Sequence, residues 1–122
     1  MMSKVLIVDD EEEAVEVLSD FLSDLGYSTK TALDGEAAIE MLKNTAYDIV
    51  ILDLRMPKID GEGVMKVLQE ENQKAKIIVM TGYSDNGITR ERMEKYNITA
   101  YLEKPLDLVT LEKTIKKVQQ TA

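Results

Sequence analysis

The chain has 122 residues, 44% of them hydrophobic, which is typical of one domain with a single core. It contains neither cysteine nor histidine, so disulfides, thiolate catalysis, zinc sites built on these residues and histidine-based acid–base chemistry are excluded. The net charge is −8, which argues against nucleic-acid binding by this domain alone. No apolar stretch is long enough for a membrane span and no signal-peptide pattern opens the chain, so a soluble, cytoplasmic protein is expected.

Strand-like and helix-like segments alternate along the whole chain. The predicted strands cover residues 5–8, 27–31, 48–53, 76–81 and 97–103. A helix is predicted after each strand from apolar residues three or four positions apart. These residues are Ala14, Leu18, Phe21, Leu22 and Leu25 in the first helix, Ala38, Ile39, Met41 and Leu42 in the second, Val64, Val67 and Leu68 in the third, Ile88 and Met93 in a weakly periodic fourth helix over 84–95, and Leu108, Leu111, Ile115 and Val118 in the last. Gly26 is expected to cap the first helix at its C-terminus.

The segments 5–8, 49–52 and 77–80 are apolar at every position, which indicates strands buried on both faces of a parallel sheet. Regular alternation of strand and helix predicts a doubly wound α/β domain over residues 1–122. Five strands suggest the flavodoxin-like order 2-1-3-4-5 with three αβα layers. In that order strands 1 and 3 are neighbours at the switch point, where ligands bind outside the carboxyl ends of the strands.

Reactive side chains follow four of the five strands. Asp9 and Asp10 follow the first strand and Asp53 ends the third. Thr81 ends the fourth strand, and Lys104 follows the fifth. Like charges about 4 Å apart repel by roughly 4 kcal/mol at a surface-like dielectric, so the acids require compensation. Oxygen ligands without histidine or cysteine favour Mg2+, with Mn2+ as an alternative, and these groups together are suited to phosphoryl transfer onto a carboxylate.

Simpler interpretations apply to several of these residues. An aspartate before a helix is commonly a cap or a turn residue, and this is the preferred interpretation for Asp34, Asp60 and Asp107. Lys104 by itself could be a solvated surface lysine, and Thr81 a turn hydroxyl. Their position beside the acids is what favours a function.

Five motifs, in this order and at this spacing, resemble the receiver domains of two-component response regulators, a CheY-like family. The resemblance covers essentially the whole chain. The motifs are Leu6-Ile7-Val8-Asp9-Asp10-Glu11, Asp34-Gly35-Glu36-Ala37, the segment 48–61, Val79-Met80-Thr81-Gly82 and Tyr101-Leu102-Glu103-Lys104-Pro105.

The resemblance implies that Asp53 accepts a phosphoryl group from a sensor histidine kinase or a histidine phosphotransfer protein. Chemistry of the domain itself would be limited to Mg2+-dependent self-phosphorylation and autodephosphorylation, so it is not expected to be a conventional enzyme. The implied metal ligands are Asp9, Asp10, Asp53 and the backbone carbonyl of Arg55.

The same resemblance implies that Thr81 and Lys104 contact the phosphoryl group. It also implies a cis peptide bond between Lys104 and Pro105. Tyr101 matches the aromatic residue that turns inward when the hydroxyl of Thr81 moves toward the phosphate. A half-buried strand tyrosine is the simpler description of Tyr101.

The implied output surface combines helix 84–95, strand 97–103 and the last helix. It would act on a downstream partner or on a fused output domain, with the domain a monomer or a phosphorylation-dependent dimer.

The sequence leaves open a stand-alone receiver and a receiver belonging to a longer DNA-binding or ATPase-type regulator. A flavodoxin-like flavin binder is disfavoured by the acids after the first strand, and an aspartate-nucleophile phosphatase by the lack of an Asp-x-Asp motif there. Asn97 and Ile98 replace the small residues usual before the last strand.

Overall fold

A computed structural model of the protein describes residues 3–53, 61–71, 74–81, 94–104 and 106–120. Five strands lie in these ranges: β1 Lys4–Val8, β2 Ser28–Ala32, β3 Ile49–Asp53, β4 Lys76–Thr81 and β5 Ile98–Glu103. Four helices lie in the same ranges: α1 Glu12–Asp24, α2 Gly35–Asn44, α3 Gly61–Glu71 and α4 Leu108–Gln120. The predicted helix over 84–95 and the segment 54–60 fall largely or wholly outside the described residues.

The strands form one sheet in which every pairing is parallel and the order is β2-β1-β3-β4-β5. The predicted fold class is therefore confirmed. Two hydrophobic clusters cover its two faces, because successive strand residues point to opposite sides. One cluster includes Leu6 and Val50 with the buried faces of α2 and α3. The other includes Ile7 and Ile51 with α1 and α4. Strands β1 and β3 thus lie between two apolar layers, as their unbroken apolar runs predict.

Helix α1 ends at a glycine as predicted. Gly26 has φ +100°, in the left-handed region that glycine adopts without strain. Its N–H donates to the carbonyl of Ser23 at 3.0 Å, and the N–H of Tyr27 donates to the carbonyl of Leu22 at 3.1 Å. This pair of bonds is the Schellman motif, which satisfies the last carbonyls of a helix. The chain leaves the motif directly into β2.

Several details differ from the prediction. Strand β1 begins one residue earlier, at Lys4, and β3 one residue later, at Ile49. Strand β2 is shifted by one residue, because the Schellman bond holds Tyr27 in the helix end. Leu25 was predicted on the apolar face of α1, but it caps the helix and is 42% exposed. Val15, which was not among the predicted residues, is buried on that face. Strand β5 begins at Ile98 because Asn97 has φ +56°, a left-handed conformation that asparagine tolerates better than most residues.

Asp34 is the N-cap of α2, as its position before Gly35 predicts. Its Oδ1 accepts a hydrogen bond from the N–H of Ala37 at 2.8 Å. We expect Asp34→Ala to lower the free energy of unfolding by about 1 kcal/mol, because that amide loses its partner. Urea denaturation measures the loss. Asp34→Asn keeps an acceptor and should remain within about 0.5 kcal/mol of wild type; equal losses in both variants would contradict the capping role.

In the described part of the chain, no helix has the length and apolarity that a bilayer crossing requires.

Candidate functional site

The register of β1 and β3 brings two aspartates side by side. Val8 pairs with Leu52 in this parallel pair, so Asp9 and Asp53 are the next residues on neighbouring strands. Adjacent strands lie about 4.8 Å apart, which sets the separation of the two backbones. The hydrogen bond from the Asp9 N–H to the Ala32 carbonyl, 3.1 Å, extends the ladder to this residue. Both aspartates are buried, at 0% and 5% exposure.

Asp10 completes a group of three acids. One carboxylate oxygen from each of Asp9, Asp10 and Asp53 lies within 4.8 Å of the others. Asp10 is exposed, so the cluster opens to solvent on that side. An all-oxygen donor set of this spacing, with one open side, fits a hard divalent cation that keeps some of its waters. The residues present therefore fit Mg2+.

Lys104 reaches this cluster from β5, two strands away from β3. Its Nζ donates to Asp9 Oδ2 at 3.1 Å and to Asp53 Oδ2 at 3.0 Å. The lysine side chain is 24% exposed, and the carboxylates it contacts are 1% and 7% exposed. A buried carboxylate is costly unless it is paired, so Lys104 provides the compensation that these two acids need in the absence of a cation.

The contacts of Lys104 shift its ionisation. Burial acts to lower the pKa of Lys104, but hydrogen bonds and charge attraction from Asp53 and Asp9 outweigh it. The pKa of Lys104 is therefore raised above its ordinary value of 10.5. The lysine is fully charged at neutral pH and holds a fixed positive charge beside the two acids.

Glu11 contacts the same group of residues and was not singled out from the sequence. Its backbone N–H donates to Asp9 Oδ1 at 3.1 Å. Its side-chain Oε1 lies 3.7 Å from Lys104 Nζ, while the side chain remains 69% exposed. The available signal was its position directly after the aspartate pair, at the N-cap of α1.

The other predicted site residues are described less completely. Thr81 ends β4 and pairs in register with Glu103, which places its backbone at the same edge of the sheet; its side chain lies outside the described structure. Arg55 and Pro105 lie outside the described residues. Tyr101 is on β5 and is 49% exposed, which agrees with the simpler description of a partly buried strand tyrosine.

A groove with a volume of about 480 Å³ adjoins the acid cluster. It runs between the start of α1 and the segment that follows β5. Asp9 and Lys104 belong to both the cluster and the groove. The remaining lining combines acids and apolar side chains: Glu11, Glu13, Ala14, Val17, Leu18, Leu106 and Leu108.

Comparison with known protein sequences agrees with this geometry. The family model of the response regulator receiver domain matches residues 5–116. The probable transcriptional regulator ycf27 of Porphyridium aerugineum is 37% identical over 117 residues, which are 94% of this chain and 47% of that protein. Sporulation initiation phosphotransferase F of Bacillus subtilis is 29% identical over 117 residues, 96% of this chain and 94% of that protein. The chain therefore spans about half the length of one relative and nearly all of the other.

A solved structure shows the same fold. The response regulator TrrA of Thermotoga maritima, in complex with Mg2+-BeF, is 34% identical and superimposes with a TM-score of 0.82, covering 96% of this chain and 99% of that one. The matched family covers nearly every described element, from β1 into α4. This chain belongs to the family of response regulator receiver domains.

Proposed function

We propose that residues 1–122 form one receiver domain that accepts a phosphoryl group on Asp53. The observation that carries this proposal is the position of the Asp53 carboxylate at the carboxyl edge of the sheet, between the acids of β1 and the ammonium of Lys104. Asp9 is also buried and also contacts Lys104, but it belongs to the adjacent acid pair after β1, whereas Asp53 is the single acid at the end of β3.

A phosphohistidine donor lies outside these 122 residues, since they contain no histidine. In the proposed step an oxygen of the Asp53 carboxylate attacks the phosphorus of a phosphohistidine in a sensor kinase or phosphotransfer protein. The new oxygen–phosphorus bond forms as the nitrogen–phosphorus bond breaks, and its electron pair remains on the imidazole nitrogen. Water later attacks the phosphorus and restores the carboxylate with release of inorganic phosphate.

The three acids would hold Mg2+, together with the backbone carbonyl of Arg55 that the family pattern implies. When bound, Mg2+ neutralises the charge on the phosphoryl oxygens during transfer. Mn2+ has the same preference for oxygen ligands and could replace it. The solved relative TrrA is in complex with Mg2+-BeF, which supports this choice of cation.

Within the proposal, Lys104 binds a phosphoryl oxygen and Thr81 donates its hydroxyl to another. The ammonium already lies 3.0 Å from Asp53 Oδ2, so a short movement would bring it to a group on that oxygen. As the family pattern implies, Tyr101 would turn inward when the Thr81 hydroxyl moves toward the phosphate. The expected output surface, made of residues 84–95, β5 and α4, would thereby change and act on a partner or on an output domain in the same protein. Relatives nearly as short as this chain and relatives about twice its length both occur.

Acetyl phosphate, a small-molecule donor, tests the acceptor. With Mg2+ present we expect intact-protein mass spectrometry to show addition of one phosphoryl group to the wild type and none to Asp53→Asn. Asp20→Asn changes the net charge equally at an exposed position on α1 and should label like wild type. Undiminished labelling of the Asp53 variant would identify another acceptor and contradict the proposal.

A further inference from the structure

Among the described residues, three carboxylates contact Lys104, and two of them belong to the acid cluster of Asp9, Asp10 and Asp53. Asp9 and Asp53 are shared between the cluster and the lysine. Glu11 contacts the lysine at 3.7 Å but is not part of the cluster. Glu11 is therefore a partner of the ammonium that would not be used as a ligand by a cation bound in the cluster.

A divalent cation among the acids would lie close to the ammonium, because both positive groups would contact the carboxylates of Asp9 and Asp53. Lys104 Nζ donates hydrogen bonds to Oδ2 of both Asp9 and Asp53. A cation bound to the same two carboxylates would repel the ammonium strongly, because the effective dielectric in a buried site is low. The lysine is anchored in the chain directly after β5, so its ammonium can retreat only within the reach of its side chain. An ammonium that moves away from the cation is most stable where another carboxylate accepts its hydrogen bond.

Glu11 is placed to be that carboxylate. Its backbone is held to the site by the hydrogen bond to Asp9 Oδ1, while its side chain is 69% exposed and therefore has room to move. A shortening of the 3.7 Å contact to hydrogen-bond length requires only side-chain rotation. Resting on the proposed function, we propose that Glu11 is a positioning residue, which takes up the Lys104 ammonium when a divalent cation binds Asp9 and Asp53.

Isothermal titration calorimetry with MgCl2 at one fixed ionic strength tests this inference. Glu11→Gln should weaken Mg2+ binding about threefold more than Glu13→Gln does, a size typical of one exposed ion pair. Glu13 is the matched control, because it carries the same charge in the first turn of α1 and lines the same groove. Equal weakening by the two substitutions would overturn the inference, because only their general negative charge would then matter.

A double-mutant cycle separates the lysine from direct attraction between Glu11 and the cation. In a Lys104→Met background, Glu11→Gln and Glu13→Gln should weaken Mg2+ binding equally. An excess effect of Glu11→Gln that persists without the lysine would overturn the inference. If Lys104→Met is too unstable to titrate, Lys104→Gln, which removes the charge but keeps a hydrogen-bond donor, takes its place in the cycle.

The outcome is independent of the labelling test for Asp53. A chain that takes no phosphoryl group from acetyl phosphate, yet shows the excess effect of Glu11, would refute the proposed function alone. A chain labelled on Asp53 in which Glu11 and Glu13 behave alike would refute this inference alone.

Discussion

Replacing Lys104 by methionine should lower the free energy of unfolding by about 3 kcal/mol when no divalent cation is present. The substitution keeps the length of the side chain and removes its charge, so Asp9 and Asp53 stay buried without their shared partner. The expected loss is near the lower end for breaking a buried ion pair, because the lysine is 24% exposed. Urea denaturation in the presence of a chelator measures it.

An exposed ion pair provides the control for this loss. Lys116 lies 3.1 Å from Glu112 on the surface of α4. Lys116→Met removes the same charge and should change the free energy of unfolding by no more than about 0.5 kcal/mol. Equal losses in the free energy of unfolding for the two variants would show that the ion pairs of Lys104 stabilise the fold no more than an exposed ion pair does.

The effect of Lys104 should also depend on pH in a defined direction. Because its pKa is raised above 10.5 in the folded protein, the charged lysine stabilises the fold fully below that pH. The contribution is lost as the pH rises through the folded pKa. The difference in unfolding free energy between wild type and Lys104→Met should therefore be constant near neutrality and shrink above pH 10.5. Carboxylates stay charged down to about pH 6, which lies above their usual pKa range. A difference that shrank when the pH was lowered from neutrality to about 6 would therefore contradict the role of the Lys104 charge.

The sheet could be predicted from sequence because its central strands carry an unbroken apolar signal. Residues 49–52 have neither polar interruptions nor alternation, and all four are buried. Element ends were predicted less well where one residue's backbone decides them. The positive φ of Asn97 shortens β5, and the Schellman bond of Tyr27 delays β2. Neither conformation has a hydrophobic pattern, so periodicity does not detect it.

The candidate site was predictable to the extent that backbone register determines it. Asp9 and Asp53 each follow a buried run, and parallel pairing of those runs brings them together. The contact between Glu11 and Lys104 depends on two long side chains from distant parts of the sequence. Their rotamers follow from the assembled charges and not from any local pattern, which is why composition alone favoured a solvated lysine.

Membership of the receiver family and the position of the acids both disfavour the two rival activities considered from the sequence. A flavin phosphate would have to bind after β1, where Asp9 and Asp10 present negative charge. A phosphatase of the Asp-x-Asp type would place its nucleophile there as well. In this chain the candidate nucleophile, Asp53, is the last residue of β3 instead, with the acids that follow β1 as neighbours.

Mg2+ should stabilise the folded protein, because only the fold brings the three acids within 4.8 Å of one another. A ligand present at 100 times its dissociation constant adds about 2.7 kcal/mol to the free energy of unfolding. We expect that gain in wild type at saturating Mg2+, measured against a chelator-treated sample, and a much smaller gain in Asp10→Asn. Identical unfolding curves with and without Mg2+ would contradict a cation site here.

Asp53→Asn should have the opposite effect and stabilise the metal-free protein by about 1 kcal/mol. At an effective dielectric of about 20, the repulsion of Asp53 by each of the other two acids is at least about 3 kcal/mol, and its attraction to Lys104 is about 5 kcal/mol. The sum slightly disfavours the charged form before its burial is counted, and burial disfavours it further. An asparagine oxygen can still accept the hydrogen bond of Lys104.

Asp20→Asn, on the exposed surface of α1, is the control for the change in net charge and should leave the metal-free stability within about 0.5 kcal/mol of wild type. Thermal unfolding of the chelated proteins compares the three chains. A lower melting temperature for Asp53→Asn than for wild type would mean that the attraction of Lys104 outweighs both repulsions and burial. The acid cluster would then be stable without a cation, and the charge-based reason for Mg2+ binding would no longer hold.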